Sequence, residues 1–200
     1  GLSAILSALI GTIFYQVGAA DQANPFNLQS QFGSLVMLLM FAMLGTAQPT
    51  LLFFPEERPI FLREYSTDHY SVFSYFVSRF SVEALNTGIQ VFILVLLIYF
   101  LAGFQGSFFV YLAATFTLAM SGAAMAVTLG VVAKGNAKVA AQLLPVLFIP
   151  QILFSGFFVS PELIPSYLQW AQYAFALPYA VRILVIEEFH NCSDDYFANQ

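Results

Sequence analysis

The chain has 200 residues, of which 60% are hydrophobic and only 8% are charged, and its formal net charge is −5. Soluble globular domains carry about 25% charged residues, so a soluble fold of this composition would lack a polar surface. The acidic balance excludes a nucleic-acid-binding surface, and the single cysteine excludes an internal disulfide framework. His69 and His190 are isolated and provide no metal site. The composition indicates an integral membrane protein.

The predicted membrane spans follow stretches with few or no charged residues. The longest, residues 84–133, contains no Asp, Glu, Lys or Arg. A hydrocarbon core about 30 Å thick requires about 20 residues of helix, so this stretch accommodates two spans, and Gly103 and Gly106 predict the turn between them. Helices are expected because lipid cannot satisfy backbone polar groups. In chain order, the predicted spans are residues 1–20, 32–54, 80–101, 108–132 and 139–159.

The basic residues predict the orientation of these spans. Arg58, Arg63 and Arg79 lie between the second and third spans, and Lys134 and Lys138 lie between the fourth and fifth. The other connections between spans contain no Lys or Arg. Because positively charged loops stay in the cytoplasm, both basic connections and the N-terminus are predicted to be cytoplasmic.

The last part of the chain, residues 161–200, predicts a segment on the outer side. Its apolar stretch, residues 163–186, is interrupted by two prolines and Arg182. A complete crossing would place the acidic tail in the cytoplasm, whereas Asn191 begins an Asn-Cys-Ser glycosylation sequence, which is used only on the outer or lumenal side. We therefore expect a re-entrant or interfacial segment followed by an outer loop, with a last span beyond Gln200.

The connection between the second and third spans, residues 55–78, is long and charged. Phe61 and Tyr65 are interspersed with Arg63 and Glu64. This mixture is typical of a short amphipathic helix that lies at the membrane face and docks onto a protein partner. An ordinary interfacial helix anchored by its arginines is the alternative.

Arg79 and Glu83 are candidate functional residues at the predicted inner end of the third span. They are four residues apart and share a helix face. An ion pair there, joined by Asn86, would lower the free-energy cost of placing charge in a membrane. Ionisable residues in spans are commonly functional, and a pair that only anchors the helix is the alternative.

Several motifs, in order along the chain, carry a resemblance to a known family. They are Glu57-Arg58-x-x-Phe61-x-Arg63-Glu64-Tyr65, Arg79-x-x-x-Glu83, Tyr99-Phe100-x-x-Gly103, Phe154-Ser155-Gly156-Phe157-Phe158-Val159 and Ile164-Pro165-x-x-Leu168-Gln169-Trp170. Over essentially its whole length the chain resembles the membrane domain of the G subfamily of ABC transporters. The Gly156-Phe157-Phe158 pattern is more similar to the half-size, White-like members.

The resemblance implies an all-α, polytopic transmembrane helix bundle with a cytoplasmic coupling helix and an outer re-entrant segment. It also implies a dimer with an identical or a different half-transporter. The chain has no Gly-x-x-x-x-Gly-Lys-Ser/Thr phosphate loop, so ATP and Mg would bind to a nucleotide-binding domain outside residues 1–200. We expect no catalytic residue and no cofactor site in the chain itself.

Roles for individual residues are also implied by the resemblance. The contact with the nucleotide-binding domain maps to Glu57, Arg58, Phe61, Arg63, Glu64 and Tyr65. The polar relay that carries motion into the helices maps to Arg79 and Glu83. The substrate cavity between the second and fifth spans maps to Phe41, Gly45, Phe148, Ile149 and Ile152, although any one of these could simply face lipid.

Three further residues are placed on the outer side by the same resemblance. Phe157 and Phe158 map to a gate that closes the outer exit, with ordinary interfacial aromatic packing as the alternative. Cys192 maps to a loop that often carries disulfides, within one chain or between two, and any partner within the same chain would lie beyond Gln200. Asn191 beside it is a candidate for glycosylation.

The implied function is ATP-driven export of a hydrophobic compound by alternating access. The substrate would be a lipid, a sterol, or a lipophilic metabolite or xenobiotic, and the protein would work in the plasma membrane or an intracellular membrane, in contact with its lipids. The alternative is a non-ATP-driven channel or an ion-coupled secondary carrier. Such carriers usually contain inverted repeats and broken or charged helices at the midplane, and this chain has no visible internal repeat.

Overall fold

The computed structural model describes Thr12 and residues 25–66, 71–133, 136–156 and 169–198. These ranges contain no strand. Their elements are α1 (Pro25–Ser66), α2 (Val72–Ala102), α3 (Phe108–Val132), α4 (Ala137–Leu153), a 3-10 helix (Gln169–Ala174) and α5 (Leu177–Ala198). The predicted all-α fold is therefore confirmed over the part of the chain that the structure describes.

Within these ranges, three helical segments are long and apolar enough to cross a membrane: Gln29–Leu52 of α1, Val72–Ala102 and Phe108–Val132. They overlap the second, third and fourth predicted spans, although Val72–Ala102 begins eight residues before the predicted residues 80–101. Helix α4 contains a shorter apolar segment, Ala141–Leu153, inside the predicted fifth span. Apart from Thr12, the predicted first span lies outside the described residues. The chain is an integral membrane protein with a helical transmembrane bundle.

Helix α1 is longer than the span it contains. It runs for 42 residues to Ser66, so the first half of the predicted loop 55–78 continues the helix rather than leaving it. This segment contains no glycine and has three Glu and two Arg, which are good helix formers, and extending an existing helix adds a hydrogen bond for each residue fixed. The helix continues despite Pro55 and Pro59, which cannot donate a backbone hydrogen bond. We call residues 55–66 the extension of α1.

A short turn joins α2 to α3. Gly103 ends α2 with a φ of 73°, the left-handed conformation that glycine adopts most easily, and its N–H donates to Tyr99 O. Helix α3 begins at Phe108. The α2–α3 turn, residues 103–107, therefore brings two spans together as antiparallel neighbours, as the glycines in the sequence predict.

Helices α1 and α3 have the most extensive contact among the described elements. The contact is close because α3 has small residues there: a Cβ added to Gly122 would lie 2.7 Å from Met43 Cγ and 3.0 Å from Met43 O. Buried residues on the same helix include Ala119, Ala123, Ala126 and Gly130. Small residues allow backbones of membrane helices to approach and gain van der Waals contact. The pair α1–α3 forms the centre of the core.

Candidate functional site

A polar cavity of about 440 Å³ lies between α1 and α2, inside segments that are otherwise apolar. It is lined by Thr46, Pro49, Thr50, Arg79, Glu83, Asn86, Thr87 and Gln90. Both members of the predicted polar relay are among these residues, together with Asn86, which the sequence suggested as a third member. Polar side chains on two adjacent helices thus face one another within the membrane-spanning part of the chain.

Glu83 forms polar contacts with both helices that line this cavity. Its carboxylate accepts a hydrogen bond from the Thr50 hydroxyl at 2.5 Å, and the Arg79 guanidinium lies 3.8 Å from its other oxygen. The spacing of four residues places Arg79 and Glu83 on one face of α2, and Thr50 approaches from α1. A carboxylate in a membrane span is costly unless it is paired or hydrogen-bonded, and Glu83 has both kinds of partner.

The polar contacts continue from α2 across α1 to α3. The Thr50 hydroxyl also lies 2.8 Å from Thr46 O, so its single proton is shared between that carbonyl and Glu83. The Thr46 hydroxyl lies 3.1 Å from Ala119 O on α3, in addition to carbonyls of its own helix. Glu83, Thr50 and Thr46 therefore connect three helices by hydrogen bonds, and below the name polar relay covers these three residues together with Arg79.

The extension of α1 contacts the beginning of α2. The rings of Phe61 and Tyr75 have centroids 4.4 Å apart. Between the two segments lies a groove of about 340 Å³ lined by Ile60, Phe61, Glu64, Tyr75, Ser78, Arg79 and Val82. Arg79 lines both this groove and the polar cavity. The extension thus packs on α2 one turn before Arg79, the partner of Glu83.

The residues predicted to contact a nucleotide-binding domain are distributed along the extension. Phe61 is partly buried against α2, whereas Arg63, Glu64 and Tyr65 are exposed and accessible to a partner. Glu57 and Arg58 lie in the helical backbone of α1, and their side chains are outside the described part. The same helix thus presents an inward aromatic contact and an outward charged surface.

The residues predicted to line a substrate cavity have different surroundings. Phe148 is buried in the core, and Phe41 and Ile152 are partly buried against that core. Ile149 is 53% exposed. Gly45 packs against the polar cavity, because a Cβ there would lie 2.8 Å from Gln90 Nε2. Helices α1 and α4 are in contact, and three of the five residues thus belong to one core, on the two predicted helices.

The remaining predicted residues lie where the structure is not described in full. Phe157 and Phe158 are outside the described residues. Asn191 and Cys192 belong to the backbone of α5, and their side chains are outside the described part. Their roles stay predictions.

Two pairs of functional candidates were not predicted from the sequence. Glu187 and Glu188 were interpreted only as part of an acidic tail, whereas Glu188 is 2% exposed and hydrogen-bonded to the α2–α3 turn. Thr46 and Thr50 were also missed, although two hydroxyls four residues apart in an apolar span are a signal that can be found in the sequence. For Glu188 no local signal exists, because its partners lie about eighty residues earlier in the chain.

The family of the chain follows from a comparison of its sequence with known families. A sequence model described as ABC-2 type transporter matches residues 2–189. The chain belongs to this family. The transmembrane bundle described above is thus an ABC-2 type membrane domain, and the expected resemblance to ABC transporters is confirmed at the level of the family.

Individual relatives of this ABC-2 type domain are G family members. The chain is 28% identical over 190 residues to the broad substrate specificity ATP-binding cassette transporter ABCG2 of Sus scrofa, covering 92% of this chain and 28% of that protein. Over 177 residues it is 27% identical to ABC transporter G family member 45 of Oryza sativa subsp. japonica, covering 84% and 13%. For ABC transporter G family member 4 of Arabidopsis thaliana the identity is 27% over 199 residues, covering 94% and 32%. The chain spans less than a third of the length of these relatives.

Proposed function

We propose that this chain is the membrane-spanning part of an ATP-driven exporter of hydrophobic compounds. The observation that carries the proposal is the ring contact of Phe61 on the extension with Tyr75 on α2, one turn before Arg79, which pairs with Glu83. Contacts of this kind can pass a displacement of the extension to helices inside the membrane. An exporter whose energy comes from a separate domain requires this kind of connection.

The energy source in this proposal is a nucleotide-binding domain of the same protein, outside the 200 residues. ATP and Mg bind there, and closure of two such domains pushes on the exposed surface of the extension at Arg63, Glu64 and Tyr65. The push reaches α2 through the Phe61–Tyr75 ring contact and α1 and α3 through Glu83, Thr50 and Thr46. The membrane part then alternates between inward- and outward-open states. Phe157 and Phe158 act as the outer gate.

The proposed substrates are hydrophobic molecules such as lipids, sterols, or lipophilic metabolites and xenobiotics. The predicted cavity residues are apolar, and Phe41, Phe148 and Ile152 share one core. Apolar cavities recognise shape and area, with few polar contacts to fix a particular ligand. One relative is described as having broad substrate specificity, which is consistent with recognition of this kind.

The proposed assembly is a dimer, with an identical or a different half-transporter, in the plasma membrane or an intracellular membrane. We place the N-terminus and the extension in the cytoplasm, because Arg58, Arg63 and Arg79 between the second and third spans, and Lys134 and Lys138 between the fourth and fifth, predict this orientation. Asn191 carries a glycan and Cys192 forms a disulfide on the opposite side. Glycosidase treatment and non-reducing electrophoresis of the full-length protein, with Asn191→Gln and Cys192→Ser as controls, test these two modifications.

The experiment that tests the proposal compares two threonine variants of the full-length protein in nanodiscs. Thr50→Val removes the hydroxyl that donates to Glu83. We expect sterols, phospholipids or lipophilic drugs to stimulate ATP hydrolysis in the wild type, and the stimulation to fall about fivefold in the variant, a loss of about 1 kcal/mol of coupling. Nucleotide binding should remain unchanged, because the nucleotide sites lie elsewhere.

Thr117→Val is the matched control. Among the described residues its hydroxyl donates only within α3, to Ala113 O at 2.8 Å, and the residue is exposed. Equal losses in both variants would show that any Thr→Val change in a span has the same effect, which contradicts a specific relay. If the wild-type protein hydrolyses no ATP under any condition, the exporter is excluded and a channel or ion-coupled carrier takes its place.

A further inference from the structure

The α2–α3 turn binds two carboxylates of α5. Glu188 accepts hydrogen bonds from the backbone N–H of Gln105 at 3.2 Å and of Gly106 at 3.1 Å, and from the Tyr111 hydroxyl at 2.7 Å. Glu187 accepts from the backbone N–H of Ser107 at 3.0 Å. Two consecutive side chains of one helix therefore satisfy three consecutive backbone donors of the turn.

The contact between Glu188 and the turn is buried. Glu188 is 2% exposed and Tyr111 is fully buried. A buried carboxylate is tolerated only when it is well hydrogen-bonded, and here the N-terminal end of α3 adds the favourable field of a helix dipole. Gly106 is fitted to the contact, because a Cβ there would lie 2.9 Å from Tyr111 Cε2 and 3.0 Å from Glu187 Cγ.

The other end of α5 is connected to α4. The rings of Phe154, which follows α4, and Phe175, which precedes α5, are stacked with centroids 5.6 Å apart. Between the two ends, Leu177, Val181 and Leu184 are buried in the common core. Helix α5 thus extends from the end of α4 to the α2–α3 turn, with a specific contact at each end.

We propose that Glu188 is a positioning residue of transport, which fixes α5 to the α2–α3 turn so that α5 carries movement between α4 and the α2–α3 pair. This inference rests on the proposed function, and it adds a second connection at the opposite end of α2 from the polar relay. Helix α4 contains Pro145 and Pro150, and prolines favour bending within a helix. A change in the bend of α4 would then be passed to the turn by way of Glu188.

The first test measures transport for each ATP hydrolysed by the full-length protein in nanodiscs. Glu188→Ala removes all three acceptor contacts and is expected to lower this ratio at least fivefold in the protein that remains folded. Glu188→Gln retains an oxygen acceptor of the same shape and should recover most of the ratio. Ile186→Ala is the matched control, because Ile186 lies two residues earlier on α5 and is 66% exposed, and it should leave the ratio within about twofold of the wild type.

A purely structural role predicts a different result. It would lower the yield and thermal stability of Glu188→Ala while leaving transport for each ATP unchanged in the folded fraction, and this outcome overturns the proposal. Should Glu188→Ala fail to fold, Tyr111→Phe, which removes a single donor to Glu188, serves instead and must lower the same ratio for the proposal to survive.

The second test does not depend on ATP hydrolysis. Spin labels at Ser107 and Arg182, both exposed, are placed on an otherwise cysteine-free background and their separation is measured with and without bound nucleotide. We expect one narrow distance distribution in both states of the wild type and a broadened or shifted one in Glu188→Ala. Identical distributions in wild type and variant would show that Glu188 does not hold α5. If the protein hydrolyses no ATP, the role in transport fails with the proposed function, while this measurement still decides the docking contact.

Discussion

Gln151 is a fully buried amide on α4 with incomplete hydrogen bonding. Its Nε2 group donates to the Met125 sulfur at 3.1 Å, and its Oε1 atom has no partner in the part of the chain that the structure describes. A sulfur atom is a weak acceptor, and a buried polar atom without a partner lowers stability by about 1–3 kcal/mol. The native side chain is therefore less stabilising than an apolar one of similar size.

We predict that Gln151→Leu raises the free energy of unfolding by about 1–2 kcal/mol. Denaturant unfolding of the full-length protein in detergent micelles, followed by fluorescence or circular dichroism, measures this change. Gln142→Leu, on the same helix at an exposed position, should change stability by less than about 0.5 kcal/mol. If Gln151→Leu is destabilised, the amide oxygen must form a stabilising hydrogen bond, and the prediction is wrong.

Among the helices, the close approach of α1 and α3 is the contact most sensitive to side-chain size. We predict that Gly122→Ala destabilises the protein by about 1–3 kcal/mol, because the new Cβ would meet Met43 O, a backbone atom that cannot rotate away. Relief requires the two helices to separate slightly along their whole contact. The same unfolding measurement in detergent tests the prediction.

Gly88→Ala is the matched control at this scale. A Cβ at this position on α2 would have its nearest neighbour, Phe116 Cε2, at 3.7 Å, which is ordinary van der Waals contact. Alanine also restricts the unfolded chain more than glycine does, so we expect Gly88→Ala to be neutral or stabilising by up to about 1 kcal/mol. Equal destabilisation by the two substitutions would contradict the assignment of Gly122 to a tight helix contact.

At the scale of the whole molecule, the extension of α1 is the surface on which the remainder of the protein would act. We predict that Glu64→Ala reduces substrate-stimulated ATP hydrolysis of the full-length protein about fivefold, equivalent to about 1 kcal/mol of coupling. Nucleotide binding should be retained, because Glu64 is exposed on the extension and the proposed nucleotide sites lie outside the 200 residues. Steady-state hydrolysis and nucleotide-binding assays in nanodiscs measure both quantities.

Lys138→Ala tests whether any exposed charge near a predicted cytoplasmic connection has this effect. Lys138 lies in the first turn of α4, is exposed, and is absent from the groove beside the extension. We expect its substitution to leave the stimulation unchanged. If Lys138→Ala lowers the stimulation of ATP hydrolysis as much as Glu64→Ala does, the effect is a general one of surface charge. The extension would then have no specific role in coupling.

The sequence by itself determined the class of the molecule and indicated the three described helices that are long and apolar enough to cross a membrane. Charge-free stretches and glycine at a turn are local properties, and the bilayer imposes a helix length that can be counted along the chain. Residues 84–133 therefore predicted two helices and a turn, and the structure has Val72–Ala102 and Phe108–Val132 with Gly103 between them. The pair of Arg79 and Glu83 was predicted for the same reason, since residues four apart share a helix face.

Only the tertiary structure decided which residues of different helices meet. Thr50 and Glu83 lie on separate helices, and the bonds of Glu188 to the α2–α3 turn join residues about eighty positions apart. The continuation of α1 to Ser66 is likewise accompanied by packing of Phe61 on Tyr75. Periodicity and composition specify the face that a helix buries, but the partner on that face depends on how whole helices pack, which no local pattern contains.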